Sequence, residues 1–235
     1  MDMMLATTNL LGFDLETTGL SLIDDEPVSY ALTWWSQDGI HDDYSLVAPT
    51  RPISPEATAK HGISDEQAAR EGQPLPEALK HIGNDLVKAG RRGWLLIGMN
   101  ISFDLGIVDA QLRRHFGKGL YNVGWRGPVL DIYVIDRVFS APRRGSRQLD
   151  ALCEFYGVEL NNAHNALGDA RATIEVARRQ LEAYPRLVEM DGPTLMQLQE
   201  REHLKWLRNL NDYRREHNGE PITIPKGWPI DTTRL

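Results

Sequence analysis

Four carboxylates and one histidine are the residues of this chain that could do chemistry together. Asp14 and Glu16 lie in FDLETTGL, Asp104 in NISFDL, and His164 with Asp169 in HNALGD. Each falls where a strand or loop meets the expected start of a helix. The acids offer hard oxygen ligands to divalent cations, and the histidine can move a proton near neutral pH. Magnesium or manganese at such a site would suit hydrolysis of phosphodiesters. Four carboxylates sharing one pocket repel one another at a cost that cations would remove.

Each piece also has a plainer reading. Asp14 and Glu16 stand at i and i+2 on a strand and so share a face, but a half-solvated strand shows a polar face anyway. Thr17, Thr18 and Gly19 follow as a sharp bend, offering hydroxyls and N–H groups that could grip a phosphate or sugar. Asp104, in the first turn of a helix, complements the helix dipole with or without a metal. Asn100 and Phe103 could hydrogen-bond to and stack on a nucleotide, and Phe103 equally suits a core position. His164 and Asp169 are too far apart to share a face of one continuous helix. They converge if His164 sits in a loop and Asp169 one turn into a helix starting near Asn165.

The elements that must position these residues follow from periodicity. NLLGFDLE alternates apolar and polar residues, PVSYALTWW follows, and YSLVAP reads as a third strand, with a turn signal at Asp38-Gly39. Helices are expected over SPEATAKHG, SDEQAAREG and PLPEALKHIGNDLVKAG. WLLIGMN reads as a buried strand, SFDLGIVDAQLRRHF as a helix capped by Ser102 or Asn100, and PVLDIYV as a fifth strand. Helices around SRQLDALCEFYG and ALGDARATIEVARRQLEAY complete an α/β layered domain, a mixed five-stranded sheet flanked by helices. Pro185 ends that core. Beyond it one long helix places Leu195, Leu198, Trp206, Leu210 and Tyr213 at near-helical spacing, for packing on the core or on a second subunit. The tail ITIPKGWPID reads as extended.

The bulk composition is ordinary for a globular chain: 41% hydrophobic and 25% charged residues over 235 positions. One cysteine, Cys153, cannot form an internal disulfide, which points to a reducing, cytoplasmic setting. No apolar run approaches the roughly 18 residues a membrane helix needs, and MDMMLATTNLL carries an acid where an export signal would carry basic charge. A net charge of −7 argues against general binding to nucleic acid. An enzyme gripping only a chain end could instead bridge phosphate through metal held by its own acids. Arg143, Arg144 and Arg147, in a loop before His164, are the basic cluster expected to meet a phosphate.

The three acidic segments resemble the exonuclease motifs of the DEDDh family, the histidine-bearing 3′–5′ exonucleases of ribonuclease H-like fold. FDLETTGL resembles the first motif, N-x-x-F-D at Asn100 to Asp104 the second, and H-x-x-x-x-D at His164 to Asp169 the third. KHGISDEQ is similar to the family segment that places Ile63 near substrate. The tyrosine branch would require Tyr at position 165, where this chain has Asn165. The resemblance spans about residues 8 to 183 and implies an exonuclease domain over 1–184, with a helical extension and tail over 185–235. It further implies two Mg2+ or Mn2+ ions, Asp14 bridging both, Glu16 and Asp104 ligating one and Asp169 the other, about 3.5–4 Å apart. His164 would be the general base. Thr17, Thr18, Leu20, Ile63, Asn100 and Phe103 would hold the terminal nucleotides, Leu20 as a wedge between bases. The implied activity is release of nucleoside 5′-monophosphates from single-stranded or frayed DNA 3′ ends. Rival readings are an exoribonuclease or oligoribonuclease with the same chemistry, and a non-catalytic module binding nucleic acid or a polymerase. Residues 185–235 could also serve polymerase docking or self-association.

Overall fold

The computed structural model describes residues 9–160 and 164–234. Residues 1–8, which carry the argument against an export signal, lie outside the described residues, as do 161–163 ahead of His164.

Strands β1 (Leu10–Thr17), β2 (Pro27–Ser36) and β3 (Gly39–Ala48) form an antiparallel meander. Ser36 pairs with Gly39, so the hairpin turns at the expected Asp38-Gly39 signal, and Gly39 takes a positive φ of 135° that favours glycine. Helices α1 (Pro55–His61) and α2 (Asp65–Glu71) follow, each opened by a serine side chain accepting a backbone N–H. The two-residue β4 (Gln73–Pro74) leads into α3 (Leu75–Arg91), then β5 (Leu95–Gly98), α4 (Ser102–Phe116) and β6 (Val129–Asp131). Helices α5 (Ile132–Phe139), α6 (Leu149–Tyr156), α7 (Ala166–Ala183), α8 (Pro185–Val188) and α9 (Gly192–Glu216) complete the chain. The sheet runs β4-β3-β2-β1-β5-β6, with β5 and β6 parallel to β1. The five expected strands are present, and β4 adds a short sixth at the β3 edge.

The alternation along β1 divides two layers. Leu11, Phe13 and Leu15 point into one core with Leu79, Ile82 and Leu86 of α3 and Leu105 and Val108 of α4. Leu10, Gly12, Asp14 and Glu16 face the other way, toward α7, where Leu10 joins Ile97, Leu130 and Ile174. Small residues let α7 lie close there. Ala31 of β2 packs against Ala166 and Ala170, and a Cβ on Gly12 would meet the Ala170 carbonyl oxygen at 2.8 Å.

Two expectations are corrected. The fifth strand does not run through PVLDIYV: it stops at Asp131, whose side chain accepts the Tyr133 and Val134 N–H groups and starts α5. Nor does Ser102 or Asn100 cap α4 with its side chain; the preceding residue, Ile101, occupies the cap without a side-chain bond.

The long helix after Pro185 packs on the core, on a face shifted from the expected one. Its buried residues are Leu195, Gln199, His203, Leu207 and Asn211, spaced by four, while Tyr213 is 57% exposed. The polar members do a strand's job. Gln199 donates to Val129 O and accepts from Asp131 N, both at 2.7 Å, closing the open edge of β6. Asn211 likewise exchanges two bonds with Ile222, and the tail beyond buries Trp228 and Ile230 in the larger core. Among the described residues no helix is long and apolar enough to cross a membrane.

The close β1–α7 approach yields a prediction. Gly12→Val would drive a side chain into backbone, a mismatch worth roughly 1–3 kcal/mol, and should lower Tm by several degrees in thermal unfolding. A Tm equal to that of the unsubstituted chain would show that α7 does not sit as described.

Candidate active site

Three elements converge past the end of β5. Asp14 and Glu16 project from β1 toward α7, which brings Asp169 from its first turn, and one carboxylate oxygen from each of the three lies within 4.8 Å of the others. Asp104 arrives from α4. β1 pairs with β5 only over Leu10–Gly12, so the Leu15 N–H is left over, and Asp104 Oδ1 accepts it at 3.1 Å. That bond locks the α4 acid beside the strand carrying the other two.

Asn165 caps α7, its side chain accepting the Leu167 and Gly168 N–H groups, so the tyrosine position of the sister branch is a helix cap here. His164 precedes it in the loop, exposed, with a positive φ of 65°. It lies close enough to Asp169 to temper the rise that burial gives that carboxyl. The loop histidine and the first-turn acid come near each other, the arrangement expected if the helix starts near Asn165.

Electrostatics make this group unlike a surface cluster. Burial first, then Asp104, Asp169 and Glu16, push the Asp14 carboxyl well above the usual range. Burial and Asp169 raise Glu16 from 4.5 to about 7. Asp104, only 5% exposed, is raised by burial against the opposing pull of backbone N–H groups, and burial raises Asp169 despite His164. Among the described residues none of the four forms an ion pair; Lys60 of α1 acts on Asp14, Glu16 and Asp169 from a distance. Asp169 Oδ1 is buried with no hydrogen-bond partner among the described residues. Oxygen donors, excess negative charge and an orphaned buried oxygen fit a divalent cation.

Asp43, His81 and Asp85 also approach within 4.8 Å of one another. Asp43 pairs in register with Leu32 on the α3 side of the sheet, away from Asp14. There the acids already have partners: His81 contacts both, and Lys88 lies 3.4 Å from Asp85. That group reads as an ion-pair tie between β3 and α3.

The remaining expected residues divide. Leu20 is 86% exposed at the bend after β1, a free apolar tip beside the acids. Asn100 takes a positive φ of 52°, and Phe103 is half-buried against the larger core. Ile63 is buried with Val28, Ile53 and Ala68, its N–H donated to His61 Nδ1. Thr17 turns its hydroxyl to Gly19 O at 2.7 Å. Thr18 already uses both its donors within the bend: its hydroxyl donates to Asp25 and accepts from Glu26 N, and its N–H bonds Glu26 O. Its place is to hold the bend that presents Leu20.

The loop arginines also differ from expectation. Arg143 and Arg147 both bind Asp136 Oδ2, at 2.9 and 2.7 Å, and so brace the loop; Arg144 alone stays exposed. Sequence reasoning missed Asp131, whose carboxylate takes the Asn100 and Ile101 N–H groups at 3.0 and 3.1 Å and fixes the approach to α4. Its signal was an acid closing an apolar run before a helix, a cap pattern.

With this geometry established, likeness to known proteins becomes specific. A ribonuclease T-type exonuclease family profile matches residues 11–177. The chain is 28% identical to the PolC-type DNA polymerase III of Lacticaseibacillus paracasei over 183 residues. It is 30% identical to that of Caldanaerobacter subterraneus over 171 residues. Each alignment covers 72% of this chain but 11% of the relative, so the chain spans about a tenth of those polymerases. Exonuclease I of E. coli, solved with a dA16 oligonucleotide, superimposes with a TM-score of 0.69 at 22% identity, covering 77% of this chain and 42% of that one. The chain belongs to this exonuclease family, the DEDD-type 3′–5′ exonucleases of ribonuclease H-like fold.

The raised carboxyls carry a pH signature. Between about 4.5 and about 7 the folded Glu16 keeps a proton that the unfolded chain has lost, so stability without metal falls as pH rises through that window. Asp14, Asp104 and Asp169 act in the same sense. Melting in EDTA should show this decline, and Asp14→Asn should raise the metal-free Tm at pH 8 by a few degrees. A Tm independent of pH over that range, with no gain in the variant, would contradict the crowding.

Proposed function

We propose that this chain hydrolyses DNA from its 3′ end with divalent metal, releasing nucleoside 5′-monophosphates. The observation that carries the reading is the group of four carboxylates, two buried and two half-buried, with raised pKa values and, among the described residues, no ion pair. Asp14, Glu16, Asp104 and Asp169 would hold two ions, magnesium or manganese. Bound there, such ions neutralise the acids, lower the pKa of a coordinated water and offset charge on the leaving 3′-oxygen.

The chain's own groups account for the rest. His164, exposed at the mouth of the group, takes the proton from the attacking water, as a loop imidazole near neutral pH can. Leu20 presses its exposed side chain between the last bases, while Asn100 and Phe103 border the sugar and base. Contacts of that kind favour unpaired ends with little sequence preference. The oligonucleotide bound by the similar E. coli exonuclease I supports single-stranded DNA as substrate. All residues assigned to the reaction fall within 1–184, and 185–235 extend that unit.

The test is a 5′-labelled single-stranded DNA, with a matched RNA, resolved base by base with magnesium, manganese or EDTA. A metal-dependent ladder shortening from the 3′ end is expected on DNA. Asp14→Ala should abolish it, and His164→Ala should reduce turnover at least a hundredfold while leaving metal binding intact. Uncut DNA from folded, metal-loaded protein would overturn the reading, and cleavage of RNA alone would reassign the substrate.

A further inference from the structure

A cavity of about 360 Å³ is lined by Met99, Tyr133, Arg137, Arg147 and Trp206 among others. A second of about 200 Å³ adjoins it across the same Arg137 and Trp206. We propose that this groove binds the single-stranded nucleic acid upstream of the reacting end, stacking a base against Trp206 and taking a phosphate on Arg137. The inference rests on the nuclease reading above and adds a subsite to it.

Its position is set by the chain. Met99 immediately precedes Asn100, and the Asp131 carboxylate binds the N–H groups of Asn100 and Ile101 on one side and Tyr133 and Val134 on the other. One buried acid therefore fixes both the edge of the active site and the wall of the groove. The proposed path for a strand runs from the carboxylates past Asn100 to Met99, Tyr133 and Trp206, which line one cavity.

The groove also has the chemistry a nucleotide needs. The Arg137 guanidinium lies 4.6 Å from the Trp206 ring centre and 5.5 Å from that of Tyr133, and the two rings meet edge to face at 6.0 Å. Arg137 is half-buried, and among the described residues it has no ion pair; Glu202 reaches it only as a distant charge. Arg143 and Arg147 share the single carboxylate of Asp136, which leaves one positive charge over in the loop beside the groove. Lys205, bordering the smaller cavity, is matched by Glu202 at 3.8 Å. A chain with a net charge of −7 thus gathers unmatched positive charge next to aromatic rings at this place. Such a pairing suits single strands, because rings accept any base and guanidinium accepts phosphate. Trp206 lies beyond residues 11–177, the span of the family match. The groove is therefore completed by the extension and not by the shared exonuclease domain.

The experiment compares KM and kcat on a single-stranded DNA of about twelve nucleotides and on a trinucleotide too short to reach the groove. Trp206→Ala and Arg137→Gln should each raise the ratio of long-substrate KM to short-substrate KM about tenfold, acting on KM more than on kcat. Trp206→Phe, which keeps a ring, should recover most of the loss. Arg137→Gln should also shallow the salt dependence for the long substrate by about one phosphate contact. An unchanged KM ratio in Arg137→Gln, or equal losses on both lengths, would overturn the subsite while leaving the nuclease reading intact. If the unsubstituted chain cut neither length, the nuclease reading itself would fail.

Discussion

Repulsion among Asp14, Glu16, Asp104 and Asp169 is the constraint that the surrounding structure answers. Each acid would be more comfortable in water, and burial raises the pKa of all four. The fold holds them together by backbone means. Gly12 and the alanines at 31, 166 and 170 draw α7 against β1, and the Leu15 N–H left unpaired beyond β5 anchors Asp104. Stability is given up locally to crowd these acids, a common trade at functional sites.

The next layer outward keeps those acids in place with hydrogen bonds buried in the protein. Asp131 gathers four N–H groups from the approaches to α4 and α5, and is itself pinned through its own N–H by Gln199 of α9. Asp136 plays a comparable part for the loop before α6, through Arg143 and Arg147. The helix beyond Pro185 is thereby coupled to the floor of the site. Its Gln199 closes the edge of β6, and a few turns later Trp206 reaches the groove beside Met99.

Local spacing made the acids readable. The i, i+2 pair on β1, the acid in the first turn of α4 and the acid one turn into α7 follow from strand alternation and helix geometry. Asp131 escaped because PVLDIYV reads as one apolar run, and only its side-chain caps show where the strand ends. The inward face of α9 escaped for a related reason. Gln199, His203 and Asn211 are polar, so hydrophobic periodicity pointed to Leu198, Leu210 and Tyr213 instead. The bonds of Arg143 and Arg147 to Asp136 escaped because nothing in their sequence neighbourhood reveals that acid as their partner. Thr18 likewise had its hydroxyl claimed by Asp25, seven residues away across a bend. In each case the deciding partner was a side chain meeting backbone or charge across a turn or another element.

Direct titration of Mn2+ into metal-free protein near pH 7.5, followed by calorimetry on the full chain and on Asp14→Asn, tests the central claim most directly. The account predicts two ions per chain, with binding lost or weakened at least tenfold in the variant while the fold is kept. Binding of the same stoichiometry and affinity in Asp14→Asn, or no binding by the unsubstituted chain, would contradict it.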